Sequence, residues 1–357
     1  MKKIGFMAFG VLAVSAGTAS AQSSVTLFGV VDVGVTRIAA SGAGDRTGLS
    51  NGSSAPSRLG FRGTEDLGGG LAAGFWLEGA LGVDSGTGTA GGSFLFQRRS
   101  TVSLSNQWGE LRLGRDFAPT WWNVSLLDPF NARGVGTSQA ANNFGYTTNW
   151  NNNSFGYILP ASLGGFYGQF QYAFGEKSST AANDKQGNSF GTRLGWQKDA
   201  LNVAVAYTEF RQVIGASDVA PLAIGRDLKV GNIAATWDFG VIKPVVFYGQ
   251  ERVVGNPVGN NRLDSLLLGA TAPMGQGELR ATVARHDMKD SNADFNKIAL
   301  GYGYFMSRRT QLYVNLARLS NKGSSTRSLS ADGVATLAPI RAGGRSNGID
   351  VGIRHSF

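Results

Sequence analysis

Apolar and polar side chains alternate with a period of two along almost the whole chain after residue 24. In the segment 25–36 the odd-numbered positions are apolar or small: Val25, Leu27, Gly29, Val31, Val33 and Val35. The even-numbered positions between them are mixed and include Thr26 and Asp32. The same alternation recurs at 200–211 and 309–320. Because successive side chains of a β-strand point to opposite faces, this pattern predicts strands with one apolar and one mixed face.

Sixteen such segments occur, beginning at 25–36 and 56–65 and ending at 346–357, and the connections between them alternate in length. Seven tight turns, near 66–69, 106–107, 160–164, 199, 239–240, 273–276 and 307–308, alternate with longer polar loops. A β-sandwich has no reason to alternate loop lengths, whereas membrane barrels have short turns on one side and long loops on the other. After residue 21 the chain has no apolar run of 18 residues, so no transmembrane helix is predicted there. The sequence therefore predicts an all-β fold, a 16-stranded antiparallel transmembrane β-barrel with its apolar faces toward lipid.

The N-terminus has the features of an export signal. Lys2 and Lys3 precede an apolar run over residues 4–16, and Ala19 and Ala21 complete a small-x-small cleavage pattern. The apolar run is shorter than the ~20 residues that a bilayer-spanning helix needs. We expect residues 1–21 to be a signal peptide and residues 22–357 to form the barrel, in the outer membrane of a Gram-negative bacterium. Because an exported protein is separated from nucleic acid, we expect no nucleic-acid partner, and the net charge of +9 indicates a basic surface or a basic channel.

Composition restricts the available chemistry. The chain has 52 Gly, no Cys and two His among 357 residues, which excludes disulfides, thiolate metal sites and cysteine nucleophiles. A barrel enzyme such as an outer-membrane hydrolase would need a nucleophile with a histidine base. His286 lies at a strand end and His355 has lipid-facing parity, so neither is well placed for that role. We expect no enzymatic activity and no cofactor, and the barrel hydrolase is the less favoured alternative.

One connection, residues 116–152 after the fifth predicted strand, is about three times the usual loop length. A 16-stranded barrel leaves a water-filled lumen that needs narrowing if solutes are to be sieved. We expect this loop to fold inward and pack on the wall; the alternatives are that it covers the outer mouth or contacts a neighbouring subunit. Its aromatic residues form a candidate sugar or organic-acid slide: Trp121, Trp122, Phe130 and Trp150.

The candidate constriction residues are charged and lie on four neighbouring strands or in this loop: Arg58, Arg62, Glu78, Arg98, Arg99, Arg112, Asp116, Asp128 and Arg133. Strand parity places Arg58 and Arg62 on the face opposite the apolar Leu59 and Phe61, so both arginines should point into the lumen. It also points Glu78 and Arg112 inward, and it requires one of Arg98 and Arg99 to face the lumen. Asp116 and Asp128, assigned to the loop, would set an acidic loop opposite a basic wall. A narrow, arginine-lined passage concentrates anions, so the sequence predicts an anion-preferring channel.

Five segments resemble the general porins of beta-proteobacteria and Neisseria. They read SSVTLFG at 23–29, SRLGFRGTEDLGGGL at 57–71, LRLGR at 111–115, MSRRT at 306–310 and GIRHSF at 352–357. The resemblance implies a homotrimeric passive diffusion channel for small anions and hydrophilic solutes, with its third external loop in the lumen. It also implies contact with outer-membrane lipid and lipopolysaccharide, and recognition of Phe357 by the barrel-assembly machinery.

Within that resemblance, Arg58, Arg98 and Glu78 match positions of the family's basic wall. Trp150 stands where family members often have an arginine at the start of the sixth strand. This departure implies a weaker basic cluster and a pore narrowed by the indole, unless Arg133 supplies the missing charge. A substrate-specific channel for organic acids or sugars is the main alternative function.

Overall fold

The computed structural model describes residues 24–88, 92–144, 148–213, 226–254, 262–289, 291–334, 336–337 and 340–357, so the predicted signal peptide at 1–21 lies outside the described residues. Within these ranges there are seventeen strands and one short helix: β1 (Ser24–Ala40), β2 (Gly44–Asn51), β3 (Arg58–Gly68), β4 (Leu71–Ala80), β5 (Arg99–Asn106), β6 (Gly109–Phe117), α1 (Pro119–Leu127), β7 (Trp150–Ile158), β8 (Phe166–Ala173), β9 (Ser189–Lys198), β10 (Leu201–Val213), β11 (Arg226–Trp237), β12 (Lys243–Val254), β13 (Arg262–Met274), β14 (Gly277–Met288), β15 (Phe295–Phe305), β16 (Thr310–Asn321) and β17 (Arg345–Ser356). No helix of this described part has the length and hydropathy to cross a bilayer.

The strands form one closed antiparallel sheet. From β3 onward each strand pairs with the next in sequence, and β17 pairs with β1. The C-terminal half of β1, from Val33 to Ala40, pairs with β2, and its N-terminal half, from Ser24 to Val30, pairs with β3. The strands β2 and β3 therefore share one position in the sheet. The barrel therefore has sixteen strand positions, which confirms the predicted fold class. Closure satisfies the backbone of every strand without an edge exposed to lipid.

The first external connection differs from the prediction. Residues 37–55 were expected to form a loop, but β1 continues to Ala40 and β2 begins at Gly44, which leaves a turn of 41–43. The chain leaves the sheet only at 52–57. Gly52 has a φ of +75° at the bend, and the Asp32 carboxylate accepts the backbone N–H groups of Ser54 (2.9 Å) and Ala55 (2.6 Å). This inward segment lies directly before Arg58.

The alternation along the strands separates a lipid face from a lumen face. Val35 on β1 is 52% exposed on the outside, whereas its neighbour Thr36 is fully buried inside. Exposed aromatic side chains such as Trp108 (71%) and Phe239 (62%) lie at the short turns, where a barrel meets the membrane interface. The period-two pattern thus predicted the direction of the side chains as well as the strands.

The long connection 118–149 folds into the lumen, as predicted. It opens with α1, which begins at Pro119, a residue suited to the first helical position because its ring presets φ. Trp121, Val124 and Leu127 pack against buried residues of the far wall, including Leu228 and Val230. The helix is also held by polar contacts.

Those polar contacts centre on Asn123 of α1. Its amide donates to Asn232 Oδ1 (3.0 Å), and its Oδ1 accepts from Arg193 Nε (2.6 Å). The Asn232 amide in turn donates to the backbone oxygen of Thr120 (3.1 Å). Buried amides that are all paired fix the helix in one register on the wall.

The tip of the same loop touches the opposite side of the barrel. Val135 N donates to Asp350 Oδ2 of β17 (2.8 Å). Gly134 has a φ of +59°, and a Cβ there would lie 2.4 Å from Asp350 Oδ2 and 2.7 Å from the backbone oxygen of Ser53. Only glycine combines this left-handed backbone with so close an approach. The loop is therefore fixed at both ends of its path across the lumen.

Candidate functional site

A cavity of ≈510 Å³ lies between the inward loop and the inner wall of β3–β5. Six of the predicted constriction residues line it: Arg58, Arg62, Glu78, Arg98, Arg99 and Arg133. The remaining lining side chains include aromatic and apolar groups from β1, β4, β6 and α1: Phe28, Trp76, Phe117, Trp121, Trp122 and Leu126. The structure thus brings together residues that are far apart in sequence.

Glu78 is the one acid among the residues that line this cavity, and it is closely paired. Arg98 Nε lies 2.5 Å and Arg58 Nε 3.7 Å from Glu78 Oε1. Trp76 Nε1 donates to the other carboxylate oxygen at 3.0 Å. With five arginines and one glutamate, the lining carries a net charge of +4.

Aromatic rings hold the remaining wall arginines without neutralising them. The Arg99 guanidinium lies 4.6 Å and the Arg62 guanidinium 5.2 Å from the centroid of the Trp76 ring. Arg62 is also 5.5 Å from the Phe28 ring, which packs edge-on against Trp76. Cation–π contacts orient a guanidinium but leave its full charge. The wall therefore presents fixed positive charge to the lumen.

The opposite side of the cavity is the lumen face of α1. Leu126 is 56% exposed there, and Trp122 packs against Phe117 at 5.0 Å between ring centroids. Arg133 follows further along the loop. Burial, together with Arg98 and Arg58 nearby, lowers the pKa of Arg133 to about 10, and Asp332 opposes that shift. The guanidinium is still charged at neutral pH, so the loop adds positive charge to the passage.

The acids of this region lie differently from the expected acidic loop. Asp116 belongs to β6, on the basic wall, where it lies 2.7 Å from Arg112 Nη1 and 3.6 Å from Arg99 Nε. Asp128 is buried in the loop, and its oxygens accept the backbone N–H groups of Phe130 (2.8 Å) and Ser138 (2.7 Å). Asp128 therefore folds the loop and does not face the cavity.

Arg112 lines a second cavity of ≈380 Å³ adjoining the first. Arg62, Trp76 and Arg99 line both cavities. Arg112 is paired with Glu110 (2.9 Å) as well as Asp116. The predicted inward direction of Arg112 agrees with this position, but its charge is compensated locally.

For Arg98 and Arg99, strand parity predicted only one inward side chain, and the structure places both on the cavity. Arg98 lies before β5 begins, so strand alternation does not apply to it. Its backbone N–H donates to the oxygen of Glu78 (3.0 Å), which turns its side chain toward the Glu78 carboxylate. The parity argument failed because it assigned both residues to one strand.

Two members of the candidate aromatic slide lie elsewhere. Trp150 packs behind Phe117 at 5.8 Å between centroids, with the Arg115 guanidinium 5.5 Å from its ring, so it does not narrow the cavity. Phe130 is 1% exposed in a second buried cluster. Of the four aromatic residues, only Trp121 and Trp122 line the passage.

Sequence reasoning missed the aromatic support of the arginines. Phe28 and Trp76 occupy inward positions of β1 and β4, and a large aromatic residue on the otherwise polar face of a barrel strand was the available signal. Asp332 was also missed. It lies in the connection between β16 and β17, about two hundred residues from Arg133, and its charge acts on that arginine through space. No local sequence pattern marks such a long-range interaction.

Comparison with known proteins agrees with this architecture. The family profile of the Gram-negative porins matches residues 8–324. Outer membrane porin protein 32 of Delftia acidovorans is 41% identical over the full length of both chains. An outer membrane porin protein of Bordetella pertussis is 30% identical, again over all of both chains.

Solved structures give the same result. An anion-selective porin from Comamonas acidovorans has a TM-score of 0.84 at 39% identity, covering 94% of this chain and 100% of that one. OmpT of Vibrio cholerae has a TM-score of 0.67 at 14% identity, covering 94% and 98%, and supports the fold alone. The chain therefore belongs to the Gram-negative porin family, the passive channels of the outer membrane.

Proposed function

We propose that this porin is an anion-preferring general diffusion channel in which Arg58, Arg62, Arg98, Arg99 and Arg133 attract the permeating anion. The observation that carries the proposal is the net charge of +4 on the lining of the cavity between loop and wall. The likeness to a protein described as an anion-selective porin supports it. Glu78 and Asp116 act as positioning residues for the arginines, and Arg112 extends the basic wall toward the short-turn side.

The arginines form a path along the lumen. Arg58 and Arg62 are four residues apart on β3, which corresponds to about 13 Å of strand. Arg62 and Arg99 line both cavities. An anion that moves away from Arg58 and Arg98 therefore comes close to one of these two guanidinium groups while it is still near the first pair. Several sites of similar strength allow rapid exit, whereas one strong site would hold the anion. Transport is passive, since the concentration gradient supplies the driving force.

Assembly is part of the proposal. We expect a homotrimer surrounded by outer-membrane lipid and lipopolysaccharide, assembled through recognition of Phe357 by the barrel-assembly machinery. In the folded chain Phe357 closes the barrel, since its backbone exchanges two 3.1 Å hydrogen bonds with Gly29. A Cβ on Gly29 would lie 2.3 Å from the Phe357 ring, so glycine leaves room for it.

We also propose that the protein has no enzymatic activity. Among the described residues, one serine–histidine pair is buried, Ser265 with His286 at 2.8 Å. His286 is completely buried, stacks on Phe295 and bonds the backbone oxygen of Ser138 at 3.0 Å. The His286 imidazole is enclosed on every side behind the inward loop, so a substrate cannot reach it. Its hydrogen bonds join the loop to the barrel wall. His355 lies on the exposed outer surface beside Thr310.

The test is the zero-current potential of the purified protein in a planar bilayer across a KCl gradient. We expect large ohmic steps with a potential of the sign set by chloride. Phosphate and short organic acids at micromolar concentration should leave the conductance unchanged. A potential of the opposite sign would contradict the anion preference, and the absence of conductance would contradict the channel.

A second candidate, a channel selective for organic acids, is favoured by one observation. Leu126 and Trp122 face the cavity opposite the arginines, so an anion with an apolar body would contact both sides. Benzoate should then block chloride current at concentrations where neutral benzyl alcohol and acetate do not. Equal and weak effects of all three solutes would contradict the organic-acid channel and favour the general diffusion channel.

A further inference from the structure

The sheet position that β2 and β3 share is interrupted by a segment that leaves the wall. β2 ends at Asn51 and β3 begins at Arg58, and residues 52–57 lie between them. These six residues are opposite only two residues of β1, Val31 and Asp32. An excess of residues on one strand of a pair bends that strand away from its partner. The 52–57 segment is therefore an excursion from the middle of the barrel wall.

The 52–57 segment forms part of the constriction. Ala55 and Pro56 line the ≈510 Å³ cavity together with the arginines. The backbone oxygen of Pro56 accepts a hydrogen bond from Arg58 Nη1 (3.1 Å). The backbone oxygen of Ser54 accepts one from Asn131 Nδ2 of the inward loop (3.2 Å). The position of the segment thus affects the width of the passage, the direction of Arg58 and the support of the loop.

The carboxylate of Asp32 holds the middle of the segment. Asp32 is completely buried. Its Oδ2 accepts the backbone N–H groups of Ser54 (2.9 Å) and Ala55 (2.6 Å), and its Oδ1 accepts the hydroxyl of Tyr313 on β16 (2.7 Å). An ionised carboxylate has enough lone pairs to accept three donors at once. One side chain therefore joins the segment to two strands of the wall.

The two ends of the segment are held without that carboxylate. Gly52 N donates to the backbone oxygen of Asp32 (2.9 Å). The Ser57 hydroxyl donates to the same oxygen (2.9 Å) and accepts from the backbone N–H of Asp32 (3.0 Å). In the middle, the Ser54 hydroxyl adds a bond to Gln311 Oε1 (3.1 Å). A substitution of the Asp32 side chain should therefore loosen the middle of the segment and leave its ends in the wall.

We propose that the 52–57 segment is a second pore-narrowing element beside the inward loop, and that Asp32 is its positioning residue. Without the carboxylate, the N–H groups of Ser54 and Ala55 lose their acceptor, so the middle of the segment fluctuates in the passage. Arg58 then loses its fixed partner in Pro56. The part of the proposal that concerns selectivity rests on the proposed role of Arg58, whereas the part that concerns current noise needs only an open channel.

The experiment compares three variants by single-channel recording in planar bilayers. Asp32→Ala removes the charge and the acceptor, Asp32→Asn removes the charge but keeps an oxygen that can accept the two N–H groups, and Tyr313→Phe removes the hydrogen bond that lies outside the segment. We expect the open-channel current noise of Asp32→Ala to be at least about twofold that of the wild type, because the loosened segment samples several positions. Asp32→Asn and Tyr313→Phe should be as quiet as the wild type.

The zero-current potential gives a second comparison, between two variants of equal charge. Asp32→Ala should be less anion-preferring than Asp32→Asn, because Arg58 is no longer held in one direction. A loss of overall stability alone would not produce this difference between correctly assembled channels.

Gly52→Ala tests the segment without changing Asp32 or any charge, and it keeps the test decisive if Asp32→Ala does not assemble. Gly52 has a φ of +75°, and a Cβ there would lie 2.9 Å from the backbone oxygen of Ala55. An alanine therefore strains the bend and must shift the segment. We expect increased open-channel noise here as well.

Four results would overturn the proposal in whole or in part. Wild-type noise in both Asp32→Ala and Gly52→Ala would show that the segment does not shape the passage. Noise in Asp32→Asn equal to that of Asp32→Ala would assign the effect to the lost charge, and equal noise in Tyr313→Phe would assign it to packing around the carboxylate. Equal anion preference in Asp32→Ala and Asp32→Asn would contradict the positioning of Arg58. The potential of the wild type in the same membranes tests the proposed anion preference separately.

Discussion

Replacing Arg58 with glutamine removes one charge from the constriction and leaves its shape nearly intact. Arg98 still holds the Glu78 carboxylate at 2.5 Å, so the substitution does not leave a buried acid unpaired. Arg58 itself is the more distant partner, at 3.7 Å. The lining then changes from a net charge of +4 to +3. The expected effect is a smaller anion preference at unchanged pore size.

The size of the effect follows from the cavity. A sphere of ≈510 Å³ has a radius of about 5 Å, so a guanidinium carbon behind its surface lies about 7 Å from the centre. Coulomb's law gives ~0.6 kcal/mol at a dielectric constant of 80 and ~2.4 kcal/mol at 20, and screening over ~8 Å lowers these to ~0.25 and ~1 kcal/mol. The same charge repels cations equally. The ratio of anion to cation permeability should therefore fall between about twofold and about thirtyfold.

The assay is the zero-current potential in a KCl gradient near 0.15 M, with single-channel conductance recorded in parallel. Glu78→Gln should raise the anion preference by a similar factor, and Arg58→Gln/Glu78→Gln should return it close to the wild type because the net charge is restored. Arg308→Gln, at an exposed short turn, is the control for a charge outside the constriction. If Arg58→Gln and Arg98→Gln both keep the wild-type potential with normal conductance, the assigned role of the arginines is wrong.

Three further predictions concern the loop. Gly134→Ala forces a left-handed alanine against Asp350 and should destabilise the loop tip by about 1–3 kcal/mol; we expect a larger conductance and a lower temperature of unfolding, and no change in either would contradict the fixed tip. Leu126→Glu adds an acid opposite the wall without disturbing a buried group, and should lower the permeability ratio at least about twofold, a result absent if Leu126 faces away from the ion path. Burial raises the pKa of Asp332 above its usual range, so its negative charge, which acts on Arg133 through space, is lost at a higher pH than that of an ordinary aspartate. Anion preference should therefore rise on acidification, and Asp332→Asn should show the higher value already at pH 7. An equal pH response in both proteins would refute this.

The sequence by itself determined the barrel. A strand in lipid places alternate side chains in hydrocarbon and in water, so the period of two in β1 and β10 reveals both the strand and the direction of each side chain. Short turns between antiparallel neighbours are equally local, and strand parity correctly placed three of the cavity-lining residues, Arg58, Arg62 and Glu78. The inward loop was predictable from its length and its apolar residues.

What the tertiary structure decided is the arrangement across the lumen. The continuation of the sheet through β2, the inward position of both Arg98 and Arg99, the location of Asp116 on the wall and the displacement of Trp150 all depend on contacts between distant segments. Asn123 bonds Asn232, and Val135 bonds Asp350, across sequence separations of 109 and 215 residues. These bonds set the path of the loop and hence which charges face the anion. Strand periodicity reports only whether a side chain points inward, whereas the position of a charge in the passage depends on the segment that packs opposite it.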